Sequence, residues 1–313
     1  MPAATPAPRL PVQPFKPRPA PSVGAAPRSG SLWLRLGLLV ALLAVAVGVY
    51  AFGIVPWMNR WGATPDELTR ALPGDDLVPN PLSQTTRAVT VQATPEQIWP
   101  WLVQLGQGRG GLYSYEFLEN LVGCDLHNAD RVHPEWQDLK VGDIVRFMPD
   151  GYLGLPETPR FTVKAVEPNR LLSLYPWVNF VLEPVGPHTT RLILRERIPA
   201  DGFDAGPFEF IMARRLALGV QERAEGRPVP SLYDTLEVFT WVIAGLVALV
   251  GAVWTLRARD WRPSFGLTAL ALAAFLTVLF GRPPLWQSVA GMGGLLVCAV
   301  SVYWANHSNG ETS

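Results

Sequence analysis

Cysteine is nearly absent from this chain, and so is any surplus of charge. Cys124 and Cys298 are the two cysteines in 313 residues, one inside a polar cluster and the other inside an apolar run. Two thiols in such separate settings exclude a disulfide framework and a thiolate zinc site. Cys124 then reads either as a small buried hydrophobe or as a reactive thiol. Basic and acidic residues balance at 26 each, so no net field points to a nucleic-acid partner. Charged residues are only 17% of the chain against 49% hydrophobic, the composition of a membrane protein joined to a soluble part. Cofactor fingerprints are also missing. Gly106, Gly108, Gly110 and Gly111 follow a helical pattern rather than a strand, and no P-loop lysine comes after them. His127, Asp130 and His133 lack HExxH spacing, and no helical pattern sets both imidazoles on one face. Neither a cofactor nor a metal is expected.

What is present is long apolar runs at both ends. Residues 1–30, rich in Pro and Ala, bury too little apolar surface to offset their ordering entropy and read as a disordered tail. Residues 31–56 hold a run long enough to cross a bilayer, with Trp57 and Trp61 placed as an aromatic belt. Residues 57–84 read as a short amphipathic helix over Arg60–Leu72, capped at Thr64 and Glu67, and a proline-rich connector. Over 85–227 come a strand (Thr85–Val91), helices, and then alternating segments: Val141–Met148, Phe161–Val166, Leu171–Tyr175, Trp177–Glu183 and Thr189–Ile198. Turn residues separate them, which implies an antiparallel meander. Pro207–Ala224 is a helix with Phe208, Ile211, Met212, Leu216 and Val220 in a stripe. Three more spans fill 236–305, and 306–313 is a polar tail. The class is α+β with about four transmembrane helices.

Four spans put both termini on one side. Arg35, the basic tail and the arginines at 257, 259 and 262 mark that side as cytoplasmic; Arg214, Arg215, Arg223 and Arg227 weigh against it. The expected location is a multi-pass position in the plasma (inner) membrane.

Ligand chemistry is expected around Thr94–His133, where aromatic, glycine and ionisable residues concentrate. Trp101, Arg109, Tyr113, Tyr115, Glu116, Asn120 and His127, with Met212 and Leu216 from the late helix, are the candidate ligand-binding residues, since binding sites are mostly apolar with a few placed polar groups. Catalysis would need an acid or base, for which Glu116, Asp125 and His127 are candidates. Glu196 falls on the apolar face of its strand, at a sheet edge or in a polar pocket, with the edge preferred.

The segments RWGATPDEL, ALPGDDLVPNP, IWPWLVQLGQGRGGLYSYEFLENLVG, HNADRVHPEWQDLKVGD and FEFIMARR resemble the membrane-attached, polyketide-cyclase-like members of the SRPBCC superfamily, the START-like helix-grip proteins. The likeness covers about residues 60–226. It implies a curved antiparallel sheet around a long C-terminal helix, with a deep apolar cavity between them. It also implies binding of a lipid or other hydrophobic small molecule at the membrane. Two alternatives stay open: a cyclase/aromatase-like or hydrolase enzyme acting on a hydrophobic substrate, and a non-catalytic membrane assembly or signalling module. On the binding reading, Gly219→Trp is expected to fill the cavity.

Overall fold

The computed structural model describes residues 29–154, 160–202, 206–227 and 230–308. Most of the tail expected over 1–30, and of the polar tail over 306–313, lies outside these residues. Helix α1 (Ser29–Val49) runs through a π-helical turn, Tyr50–Ile54, into α2 (Val55–Met58). The continuous run Leu32–Met58 is 27 residues long and exceeds the roughly 20 a bilayer core requires.

Helix α3 (Pro65–Thr69) starts as the sequence indicates, because Thr64 and Glu67 cap each other. The Glu67 amide donates to Thr64 Oγ1 at 3.2 Å, and the Thr64 amide donates to Glu67 Oε2 at 2.7 Å. It is shorter than the Arg60–Leu72 run suggests. Pro73 biases the residue before it away from helix, and the backbone is already extended at Arg70. The connector that follows holds a 3-10 turn at Asp75–Leu77.

Strand β1 (Ser83–Val91) precedes α4 (Pro95–Val103) and α5 (Glu116–Leu121). A meander of β2 (Ile144–Arg146), β3 (Arg160–Glu167), β4 (Leu171–Tyr175), β5 (Val178–Gly186) and β6 (Thr189–Ile198) follows. All six strands form one antiparallel sheet in the order β1-β6-β5-β4-β3-β2. Strand β2 is shorter than Val141–Met148 because Gly142 takes a φ of +99° and Asp143 turns the chain back on Lys140. Helix α6 (Pro207–Ala224) packs against α4 and β1.

Period-2 alternation explains the two-sided sheet. Val89, Leu172, Phe180, Leu192 and Leu194 point to one face and meet Ile98 and Leu102 of α4 and Leu216 and Val220 of α6. Burying each such side chain contributes about 1.5–3 kcal/mol. On the other face Ala88, Leu171, Val181 and Ile193 pack under Leu72. There the arginines of β6 clamp α3: Arg191 pairs with Glu67 at 2.7 Å, and Arg195 donates to the Glu67 carbonyl at 2.7 Å.

Helices α7 (Ser231–Arg257), α8 (Arg262–Leu276, continuing π-helically through Thr277–Gly281) and α9 (Leu285–Ser308) end the described chain. Among the described residues, four helical runs are long and apolar enough to cross a membrane: Leu32–Met58, Ser231–Arg257, Arg262–Gly281 and Leu285–Asn306. The second begins eight residues before Phe239, where its uncharged run starts, because Asp234 and Glu237 are buried there against arginines. Asp234 takes Arg215 at 2.8 Å, and Glu237 takes Arg282 at 3.0 Å.

Polar contacts at the helix ends fix the arrangement. Arg35 Nη1 donates to the Ala258 and Leu256 carbonyls at 2.8 and 3.2 Å, satisfying the last turn of α7. Asn306 donates to Ser264 at 3.3 Å. The start of α1, the end of α7, the start of α8 and the end of α9 therefore share one end of the bundle. The sheet sits at the other end. There Arg214 of α6 donates to the Leu279 carbonyl at 3.0 Å and to that of Phe280, groups which the π-helical end of α8 leaves without intrahelical partners.

Candidate ligand cavity

A cavity of about 590 Å³ lies between α6, the apolar sheet face and the stretch where the first helical run ends. That volume falls within the roughly 300–1,000 Å³ of small-molecule sites. Tyr50, Val55 and Met58 form its wall at the end of the first helical run; Met212, Ala213 and Leu216 do so on α6. An aromatic cluster closes the far side. Phe147 and Phe161 stand 4.5 Å apart, and Trp177 meets Phe147 edge-on at 4.8 Å. A second apolar groove, of about 500 Å³, runs between α1 and α8 and ends at Ile54 and Trp57, next to cavity residues Val55 and Met58.

Two polar features interrupt this lining. The first is a buried triad. Arg87, 3% exposed, donates from Nη1 to Glu196 Oε1 at 2.7 Å and to Glu209 Oε2 at 2.8 Å, while its Nε reaches the Met58 carbonyl at 3.0 Å. Thr85 donates to Glu196 Oε2 at 2.7 Å. Strand register puts this together, since Thr85 faces Glu196 across the β1–β6 pair and Arg87 lies two residues along the same face. Burial, the charge of the adjacent Glu196 carboxylate and a hydrogen bond to it in the protonated form drive the Glu209 carboxyl well above its ordinary range. Glu196 is thus in a polar pocket on an interior strand, not at an edge: β6 is flanked by β1 and β5.

The second is Glu119 on α5. It is 4% exposed, lines the cavity, and neither of its carboxyl oxygens has a hydrogen-bond partner. Burial pushes its pKa up to about 8, and the neighbouring Glu116 adds to the rise; Ser114, whose hydroxyl is directed at the Met212 carbonyl at 3.4 Å, offsets only part of it.

The residues singled out from the sequence divide sharply. Met212 and Leu216 line the cavity. The polar and aromatic candidates of Thr94–His133 do not; their side chains hold the loop together or face outward. Tyr113 is buried, accepts from Gln104 Nε2 at 2.8 Å and donates to the Trp101 carbonyl at 3.1 Å, and its ring meets Trp101 edge-on. Arg109 donates to the carbonyls of Val103 at 2.8 Å and Trp136 at 2.6 Å. Asn120 closes a turn on both the amide and the carbonyl of Leu126, at 2.8 and 2.7 Å. Tyr115 donates to Glu237 of α7 at 2.9 Å and so pins the loop to the apolar helices. Glu116, Asp125 and His127 do come together: His127 lies 3.6 Å from Glu116 and 3.2 Å from Asp125, with its side chain 74% exposed on the outer surface. The stretch instead supplies the cavity with Leu112, Glu119, Val122, Cys124 and Leu126. Among the described residues no group of three or more His, Cys, Asp and Glu is placed to hold a metal ion.

Gly219 also differs from expectation. Its missing Cβ points at Tyr113 rather than into the cavity, and an added one would stand 2.2 Å from the Tyr113 carbonyl oxygen. Helix α6 crosses this loop at backbone contact, and Arg223 covers the Tyr113 ring at 4.4 Å. Gly219→Ala is therefore expected to lower stability by about 1–3 kcal/mol or more through overpacking. Thermal unfolding of the full chain measures it; an unchanged midpoint would show that the helix can shift at no cost.

Arg87, Glu119 and Glu209 are polar cavity-lining side chains that motif reading passes over. A signal for the first existed: Arg87 shares strand parity with Val89 and Val91, as Glu196 does with Leu192 and Leu194. Opposite charges on two apolar faces imply a buried pair.

No family model matches the chain, and no curated protein matches it. A solved structure, described as a conserved protein of unknown function, EF2215 from Enterococcus faecalis, aligns with 13% identity and a TM-score of 0.30. The alignment covers 48% of this chain and 79% of that one.

Proposed function

We propose that the protein is a membrane-held binding protein for a lipid or other hydrophobic small molecule, carried in a helix-grip cavity of the SRPBCC type. The observation that carries this reading is the position of the cavity of about 590 Å³: its wall includes Tyr50, Val55 and Met58, the end of a helical run long enough to cross a bilayer. An apolar molecule leaving the bilayer along the α1–α8 groove reaches Ile54 and Trp57, one residue from that wall. The order strand, two helices, five-strand meander, closing helix supports the helix-grip assignment. Binding is favoured over catalysis by Glu116, Asp125 or His127 because none of the three lines the cavity. On this reading the protein is multi-pass in the plasma membrane. The arginines at 35, 257, 259 and 262 gather at the end of the bundle away from the sheet, which supports a cytoplasmic N-terminus and an outward-facing sheet.

The test uses Ala213, which lines the cavity from α6 and is 1% exposed. The full chain held in amphipol is titrated with N-phenyl-1-naphthylamine, a neutral apolar probe that brightens on leaving water. The protein as it stands is expected to give saturable binding near one probe per chain. Ala213→Trp, which places an indole in the cavity, is expected to weaken binding at least about tenfold, a loss of roughly 1.4 kcal/mol. Equal binding by the variant, with the fold intact by circular dichroism, would remove the cavity as the site.

A further inference from the structure

Acidic groups outnumber basic ones in the cavity lining. Glu119, Glu196 and Glu209 stand against Arg87 and the exposed Arg160 at the margin. Arg87 is already committed to two carboxyls and a carbonyl. Both buried carboxyl oxygens of Glu119 lack a direct hydrogen bond, with the Ser114 hydroxyl the nearest donor, whereas Glu209 shares its proton with the adjacent Glu196 carboxyl. Unpaired buried polar atoms are costly, and a native protein that keeps them beside a cavity has places for a ligand's donors to fill. What those oxygens lack is hydrogen-bond donors. At pH 8 and above, where Glu119 is ionised, a carboxylate ligand would bring more acceptors and a second negative charge.

Resting on the binding reading above, we infer that the cavity is selective for apolar molecules ending in a protonated amine, with Glu119 as the residue that recognises the amine. An alkylammonium offers three donors and a full positive charge to a site with two bare oxygens. An alcohol offers one donor and no charge. Coming from α5, the Glu119 carboxyl enters a lining whose apolar and aromatic part includes Phe147, Trp177 and Leu216, so the alkyl chain lies along these while the head meets the acid. The charged and titratable groups facing Glu119 are Glu116 and Cys124 on its own side of the fold, Asp234 of α7 and Arg215 of α6, with Ser114 the adjacent hydroxyl. Arg215 is held by Asp234 at 2.8 Å and Glu222 at 2.9 Å, which leaves Glu119 to the ligand.

The experiment is a competition on the full chain in phosphatidylcholine nanodiscs, read by native mass spectrometry, using dodecylamine, dodecanol and dodecanoate as probes. The expected order is amine, then alcohol about tenfold weaker, then carboxylate weaker again, from the worth of a charged hydrogen bond. Because the Glu119 proton must leave as the ammonium binds, amine affinity is expected to rise by up to about tenfold per pH unit from pH 6 and to level near the pKa of about 8. Glu119→Gln is expected to bring amine and alcohol to within about threefold of each other and to flatten the pH profile. Equal binding of all three probes, a preference for dodecanoate, or an amine preference that survives Glu119→Gln overturns the inference while leaving the cavity reading in place. Binding of none of the three overturns both.

Discussion

Arg87→Leu is expected to cost about 3–5 kcal/mol of stability, the largest loss predicted for any single substitution outside the apolar core. Arg87 is the cation shared by the Glu196 and Glu209 carboxyls, at 2.7 and 2.8 Å, in a site where all three side chains are largely shielded from water. Removing it leaves two carboxyls facing one another with no counter-charge. The Glu209 carboxyl, which burial beside Glu196 already holds above its ordinary range, then loses its nearest cation, so its folded-state pKa lies still further above the unfolded value. A carboxyl shifted upward contributes full stability below its unfolded pKa and loses it as pH rises towards the folded one. The deficit of Arg87→Leu should therefore be small near pH 5 and grow towards pH 8. Replacing Glu196 and Glu209 by leucine in the same variant should recover much of the loss, because an apolar replacement of a buried ion cluster is often neutral or better. Denaturation midpoints of the full chain at pH 5, 6.5 and 8 measure this. A deficit under about 1 kcal/mol that does not vary with pH would mean that water reaches the triad and screens it.

Glu119→Gln should do the reverse and stabilise the protein in alkaline solution. The carboxyl is buried without a partner and its pKa is pushed up to about 8, chiefly by loss of water and then by Glu116, with Asp234 adding to the rise and Arg215 opposing it. The folded state holds the proton more tightly than the unfolded chain, so between about pH 4.5 and 8 each pH unit costs up to about 1.4 kcal/mol. A glutamine of nearly the same shape carries no such cost. The variant should match the natural protein near pH 4.5 and exceed it by roughly 3–5 kcal/mol above pH 8. Melting temperature against pH reads this out. If the two curves fall in parallel, Glu119 is solvated or paired, and the unsatisfied carboxyl is not a feature of the folded protein.

Much of the architecture could be read from the chain because it depends on local rules. The Pro207–Ala224 helix, the Leu171–Tyr175 and Thr189–Ile198 strands and the reciprocal cap at Thr64 and Glu67 are where spacing and capping put them. The apolar runs announce four long helices, yet hydropathy misses the first two turns of α7, since Asp234 and Glu237 look like a boundary until the facing arginines of α6 and the α8–α9 turn are known. The site was less legible. Aromatic and ionisable residues are dense over Thr94–His133 because that loop has many backbone groups to satisfy: Asn128 Oδ1 alone accepts from the amides of Leu112 and Tyr113 at 3.2 and 2.6 Å. Density of polar side chains there reflects loop construction. The chemistry of the cavity comes from residues far apart in the chain, Arg87, Glu119, Glu196 and Glu209, which only strand register and helix docking bring to one wall. Parity along β1 and β6 could have revealed the Arg87–Glu196 pair. Nothing local distinguishes Glu119 from Glu116, three residues away; one faces the cavity, and the other accepts from the Asn128 amide at 2.8 Å.

The most direct measurement is mass spectrometry of the organic extract of the full chain, purified from membranes into nanodiscs, compared with the extract of Ala213→Trp prepared identically. If the cavity holds a hydrophobic molecule in the membrane, one species will be enriched over the bulk lipid near one equivalent per chain and will be lost from the variant. Identical extracts, each no more than a sample of the surrounding bilayer, would contradict the binding function proposed for the cavity.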